Sequence, residues 1–123
     1  PLKPHEEAIQ ALHRLEDSGL LGKGQVQEYY FRMSNIIKKY FHKRYGIKIF
    51  EETSSEILEK FERMGLPEDQ LKTIEEFFGV TDFVKFANIA PDPIEIQNDL
   101  KAAAAVVEKT KPAELKQKEE VSK

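Results

Sequence analysis

The chain has 123 residues, enough for one domain with one core and short of what two would need. Apolar residues make up 40% of it, which supports a packed interior, while 33% charged residues suit a surface in water rather than in a bilayer. Its 22 acids against 19 bases leave a net charge of −3, with no basic excess for nucleic acid, and the absence of cysteine excludes disulfides, thiol nucleophiles, iron–sulfur clusters and cysteine zinc sites.

The spacing of apolar residues predicts helices and almost no strand. A first helix starts near Pro4, where proline fixes φ without losing a hydrogen bond, and carries Ala8, Ile9, Leu12 and Leu15 on one face. Asp17, Ser18 and Gly19 stop it, and Gly22 to Gly24 form a turn. The second and longest helix runs from about Gln25 to Tyr45. Val26, Tyr30, Met33, Ile37 and Tyr40 form its stripe, and Tyr29, Ile36 and Phe41 widen it. Lys38, Lys39, His42, Lys43 and Arg44 crowd the negative end of its dipole, and Gly46 ends it.

Ile47 to Phe50 is a connector, after which Thr53 and Glu56 form a capping box. The third helix then turns Ile57, Leu58 and Phe61 inward and stops at Gly65. Pro67, Glu68 and Asp69 open a fourth helix that buries Leu71, Ile74, Phe77 and Phe78. Gly79 is expected to break it, with Thr81 or Asp82 capping a short fifth helix that carries Phe83, Val84, Phe86 and Ala87. A sixth helix from about Pro93 to Thr110 aligns Ile94, Ile96, Leu100, Ala103, Ala104 and Val107. The expected fold is all-α: one bundle of five or six helices around the long second one. Residues 1–110 form the domain, and residues 111–123, rich in Lys and Glu, form a disordered charged tail.

No enzyme site can be assembled from these residues. The histidines are His5, His13 and His42; the first lacks the second histidine a zinc-protease motif needs, since Ile9 stands there, and His13 lies beside the apolar stripe at the surface. The serines lack a glycine-framed elbow, and Gly22-Lys23-Gly24 joins helices rather than a strand to a helix. No cofactor, metal, catalytic residue or small-molecule substrate is expected. A nucleic-acid-binding helical module using the basic end of the second helix is the alternative, with Tyr40 and Phe41 stacking on bases. Their place in the apolar stripe argues for core instead. Phe77, Phe78, Phe83 and Phe86 cluster around Gly79; most belong to the core, and one or two could line a groove that accepts a partner helix.

Arg44-Tyr45-Gly46-Ile47, then Glu51, Thr53, Glu56, Ile57 and Leu58, and later Asp82 through Ala87, resemble the cytoplasmic helical domain at the C-terminal end of BatD-like proteins. Pro4-His5-Glu6 and Tyr30 with Ser34 fit the same pattern, which covers about residues 4–110; Lys38, Ser54 and Asn88 depart from it. The resemblance implies a non-enzymatic protein–protein interaction domain of a bacterial membrane-anchored protein. It would sit on the cytoplasmic side of the inner membrane, with MoxR-type AAA+ ATPases and von Willebrand factor A proteins as partners in a stress-tolerance or chaperone-like assembly. The membrane enters only through an upstream transmembrane helix; the chain begins at Pro1, and its longest apolar run, Ala102 to Val107, is far short of the roughly 20 residues a span needs. The expected docking surface joins Lys39, Lys43 and Arg44 to Phe50, Asp82 and Lys85. Thr53, Glu56 and Glu51 are expected to be structural, with Arg44 bound to Glu51 or Asp82.

Overall fold

Helix ends are set by local chemistry, so the elements follow from their punctuation. In the structure, a computed structural model describing residues 1–113, α1 spans Pro4–Glu16 and opens on its proline, with the Glu6 carboxylate accepting from the Lys3 amide at 3.0 Å. A 3₁₀ turn, Leu21–Lys23, leads into α2, Val26–Tyr45, which ends at Gly46 in the left-handed region (φ 67°). Helix α3, Ser54–Arg63, begins with the expected capping box. The Thr53 Oγ1 accepts from the Glu56 amide at 3.2 Å, and the Glu56 carboxylate accepts from the Thr53 amide at 3.0 Å. Helix α4 spans Glu68–Ala87 and α5 spans Pro93–Thr110, the latter capped by Asp92, whose carboxylate accepts from the Glu95 amide at 2.8 Å. No strand occurs among the described residues.

The long second helix is the spine. Tyr29, Tyr30, Met33, Ile37, Tyr40 and Phe41 are all buried along it, and α1, α4 and α5 each pack against it. Glu7 near the start of α1 meets Lys39 and Lys43 near the end of α2, so α1 runs antiparallel to α2. Asp99 meets Tyr30 and Thr110 meets Tyr40, so α5 runs parallel to it. The short α3 packs on α4 and sends Phe61 against Phe41, ring centroids 4.9 Å apart at 78°, one of the edge-on geometries that aromatic pairs prefer.

Four expectations are corrected. Gly79 does not break the fourth helix: α4 is one rod of 20 residues, and Thr81 and Asp82 lie inside it rather than capping a fifth helix. Glycine in a helix costs about 1 kcal/mol relative to alanine, whereas burying a phenylalanine stabilises by about 1.5–3 kcal/mol, so packing of Phe77, Phe78, Thr81 and Val84 on either side of Gly79 prevails. Second, continuing the helix turns Phe83 and Phe86 outward, to 57% and 74% exposure, so two of the four rings rather than most of them are core, and two lie at the surface as the groove reading allowed. Third, Ile94 is 74% exposed, because the buried face of α5 starts with Ile96 and continues through Leu100, Ala103, Val106 and Val107. Fourth, the packed region runs past residue 110. Lys111 is buried, its ammonium 2.8 Å from Glu108, and the expectation of disorder for residues 114–123 lies outside the described residues.

Candidate functional site

The polar residues expected to form one docking surface are held by three different sets of neighbours. Lys39 and Lys43 reach α1, at 3.2 and 2.9 Å from the Glu7 carboxylate; hydrogen bonding from Lys43 first, and then from Lys39, holds that carboxyl below its ordinary range. Arg44 pairs with neither Glu51 nor Asp82. Its Nε donates at 2.9 Å to the carbonyl of Thr110, one of the last-turn oxygens of α5 that have no partner within their own helix. Its guanidinium also lies 4.5 Å from the Tyr45 ring.

Asp82 and Lys85 form a third group, between α2, α3 and α4. The Ser54 hydroxyl donates to Asp82 at 2.6 Å, and the buried Lys85 ammonium lies 3.2 Å from the Ser34 hydroxyl and 3.5 Å from Asp82. The same ammonium stands 5.2 Å from the Phe31 ring and 5.5 Å from the Phe86 ring, within reach of both π faces. Burial, then the neighbouring Lys85 charge, pushes the Lys38 ammonium down from its ordinary value. Phe50 is exposed and packs against the ring of His42, centroids 5.3 Å apart and tilted by 54°; the His42 Nδ1 donates at 2.6 Å to the Ile47 carbonyl, and the exposed Glu51 lies on the same connector. Thr53 and Glu56 do the capping work expected of them. Tyr40 and Phe41, the rings a nucleic-acid platform would need, are buried.

A different surface stands out in the fold. Between the second half of α4 and the first half of α5 lies an open cleft of about 580 Å³. Val80, Phe83, Ile89 and Pro91 form its apolar side, and Glu95 and Asp99 form its acidic side. Phe86, one turn beyond Phe83, and Ile94, beside Glu95 in sequence, extend the exposed apolar area, with Phe86 edge-on to Phe31 at 6.4 Å. The loop between the helices is tied to α2 at its first residue. Asn88 closes α4 in the left-handed region (φ 54°), and its side-chain oxygen accepts from the Gln27 amide at 2.7 Å.

No protein-family model, curated protein or solved structure matches the chain. The cleft is therefore read from its own chemistry. The buried Tyr30 hydroxyl donates to Asp99 at 2.5 Å, and burial, followed by this bond to a carboxylate, pushes the phenol up. Asp99 is raised in turn by burial, opposed by the Tyr30 bond. Glu95 is raised by its hydrogen bond with Asp92 and by the charge of that neighbour, whereas Asp92 is lowered by the Glu95 amide. Among the described residues no lysine or arginine pairs with Asp92, Glu95 or Asp99. Nor, among the described residues, does any group of three His, Asp or Glu side chains converge as a metal would require. Carrying the helical period straight through Gly79 is the signal that exposes this surface: Ile74, Phe77, Phe78, Thr81 and Val84 face inward, and Val80, Phe83 and Phe86 face out.

Proposed function

We propose that this chain is a non-enzymatic protein–protein interaction domain of a BatD-like membrane-anchored protein. It works on the cytoplasmic face of the bacterial inner membrane, with a MoxR-type AAA+ ATPase and von Willebrand factor A proteins as its partners. The family and the partners rest on the resemblance carried by Arg44 to Ile47, by Glu51, Thr53, Glu56, Ile57 and Leu58, and by Asp82 to Ala87. The interaction role rests on one observation, the exposure of Phe83, Phe86, Ile89 and Ile94 beside the α4–α5 cleft. Single exposed apolar residues are ordinary, but two half- to three-quarters-exposed phenylalanines in a row with isoleucines mark a surface that gains by being covered.

The docking surface thus moves from the basic end of α2 to the cleft. Lys39, Lys43 and Arg44 are engaged within the domain, with Glu7 and with the Thr110 carbonyl, and the exposed Phe50 lies beside a second, smaller hollow. The test is binding of the purified chain to the MoxR-type ATPase and to the von Willebrand factor A protein encoded with it, measured by biolayer interferometry. Binding should be lost in the Phe83→Ser/Phe86→Ser variant with helicity unchanged. Failure of both proteins to bind the wild type overturns the named partners, and undiminished binding by the folded double variant overturns the cleft.

A further inference from the structure

We propose that the α4–α5 cleft binds an amphipathic helix of a partner protein, one that carries a lysine or arginine beside its apolar stripe to meet Glu95 and Asp99. This rests on the protein-binding reading above and names the chemistry of what binds. The apolar side, Val80, Phe83, Ile89 and Pro91, suits the i, i+3, i+4, i+7 anchors of a helix lying in a groove. The acidic side decides the rest. Any occupant that covers the cleft withdraws Glu95 and Asp99 from water, and a buried carboxylate without a partner is strongly disfavoured. One oxygen of Asp99 is held by Tyr30, a neutral donor, and no cation of the domain serves either carboxylate among the described residues. A cation carried by the occupant would supply the missing charge partner.

The same charges disfavour the other occupants. A second copy docked symmetrically would bring Asp92, Glu95 and Asp99 against their own equivalents. An anionic lipid surface would meet the same repulsion. The chain's own residues 114–123 offer Leu115 and Val121, six apart, a spacing that does not place them on one helical face.

The probes are two synthetic amphipathic peptides with identical leucine stripes, one flanked by lysines and one by glutamates, titrated against the full chain by fluorescence anisotropy. The lysine peptide should bind at least about tenfold more tightly, the advantage shrinking with salt. Glu95→Gln/Asp99→Asn should bring the two peptides to equal affinity, since asparagine still offers Tyr30 an oxygen, and Phe83→Ser/Phe86→Ser should abolish both. Equal affinities in the wild type, or a lysine preference that survives Glu95→Gln/Asp99→Asn, overturn the proposal. So does a dimer dissolved by Phe83→Ser/Phe86→Ser in sedimentation. Tighter peptide binding by the Leu115→Ser/Val121→Ser chain would assign the cleft to the chain's own end, with the same consequence. Running Glu95→Gln/Asp99→Asn against the ATPase and the von Willebrand factor A protein separates the two readings. If those proteins bind it as they bind the wild type, while Phe83→Ser/Phe86→Ser loses them, the cationic helix falls and protein binding stands.

Discussion

Tyr40 joins the far ends of α2 and α5 through one buried hydroxyl. Thr110 donates its own hydroxyl to the Val106 carbonyl at 2.7 Å, which leaves its oxygen to accept from Tyr40 at 2.9 Å. Burial pushes the Tyr40 phenol up to about 12, so it remains a protonated donor at neutral pH. Tyr40→Phe removes that donor without opening a cavity and should cost about 1 kcal/mol, read as a lower urea midpoint at unchanged slope. Glu7 makes the complementary tie at the other side of α2, and its behaviour with pH follows from the sign of its shift. Its folded value lies below the ordinary 4.5, so its contribution is present above pH 4.5 and is lost as pH falls through the lowered value. Glu7→Gln should therefore lower the thermal midpoint at neutral pH and become indistinguishable from wild type in stronger acid. Because Lys39 and Lys43 are exposed, the difference at neutral pH should also shrink in high salt. These ties explain why Arg44→Glu would be a poor probe of an interface: it removes a bond to Thr110 before it touches any partner.

At the scale of elements, two glycines with the same local reputation as helix breakers play opposite parts. Gly46 sits at φ 67°, a conformation that strains residues with a Cβ, while Gly79 lies inside α4 with ordinary helical geometry and open space where a Cβ would stand. Gly46→Ala should destabilise by about 1–2 kcal/mol and Gly79→Ala should stabilise by about 0.5–1 kcal/mol, both measurable by chemical denaturation. The contrast also marks what the sequence could reveal. The stripe from Tyr29 to Phe41, the Thr53–Glu56 box and the proline starts of α1 and α5 are local patterns, and the structure repeats them. Whether Gly79 ends a helix depends on what Phe77, Phe78, Thr81 and Val84 find to pack against, which a local pattern does not contain. The partner of Arg44 was hidden for the same reason: Thr110 is 66 residues away, and a backbone carbonyl leaves no mark in the sequence.

Across the whole molecule, the phenylalanines divide into those that hold the bundle together and those that do not, and that division can be tested directly. Phe41, Phe61, Phe77 and Phe78 are almost wholly buried and lie in mutual ring contact, whereas Phe83 and Phe86 share α4 with two of them but face water. The sequence placed all four rings around Gly79 in one cluster, and only the unbroken course of α4 sorts them. Phe78→Ala should cost about 3–5 kcal/mol, because it leaves a hole in a packed interior that the surrounding helices cannot fully close. Phe83→Ser/Phe86→Ser removes rings that the domain buries only in part, Phe86 through its contact with Phe31 and Lys85, and should cost much less stability than Phe78→Ala. Denaturation and binding measured on the same samples then give opposite profiles: Phe78→Ala is unstable but binds wherever it remains folded, and Phe83→Ser/Phe86→Ser is stable but does not bind. A double variant that unfolds as readily as Phe78→Ala would place its rings in the core after all, and the cleft would lose its claim to a partner.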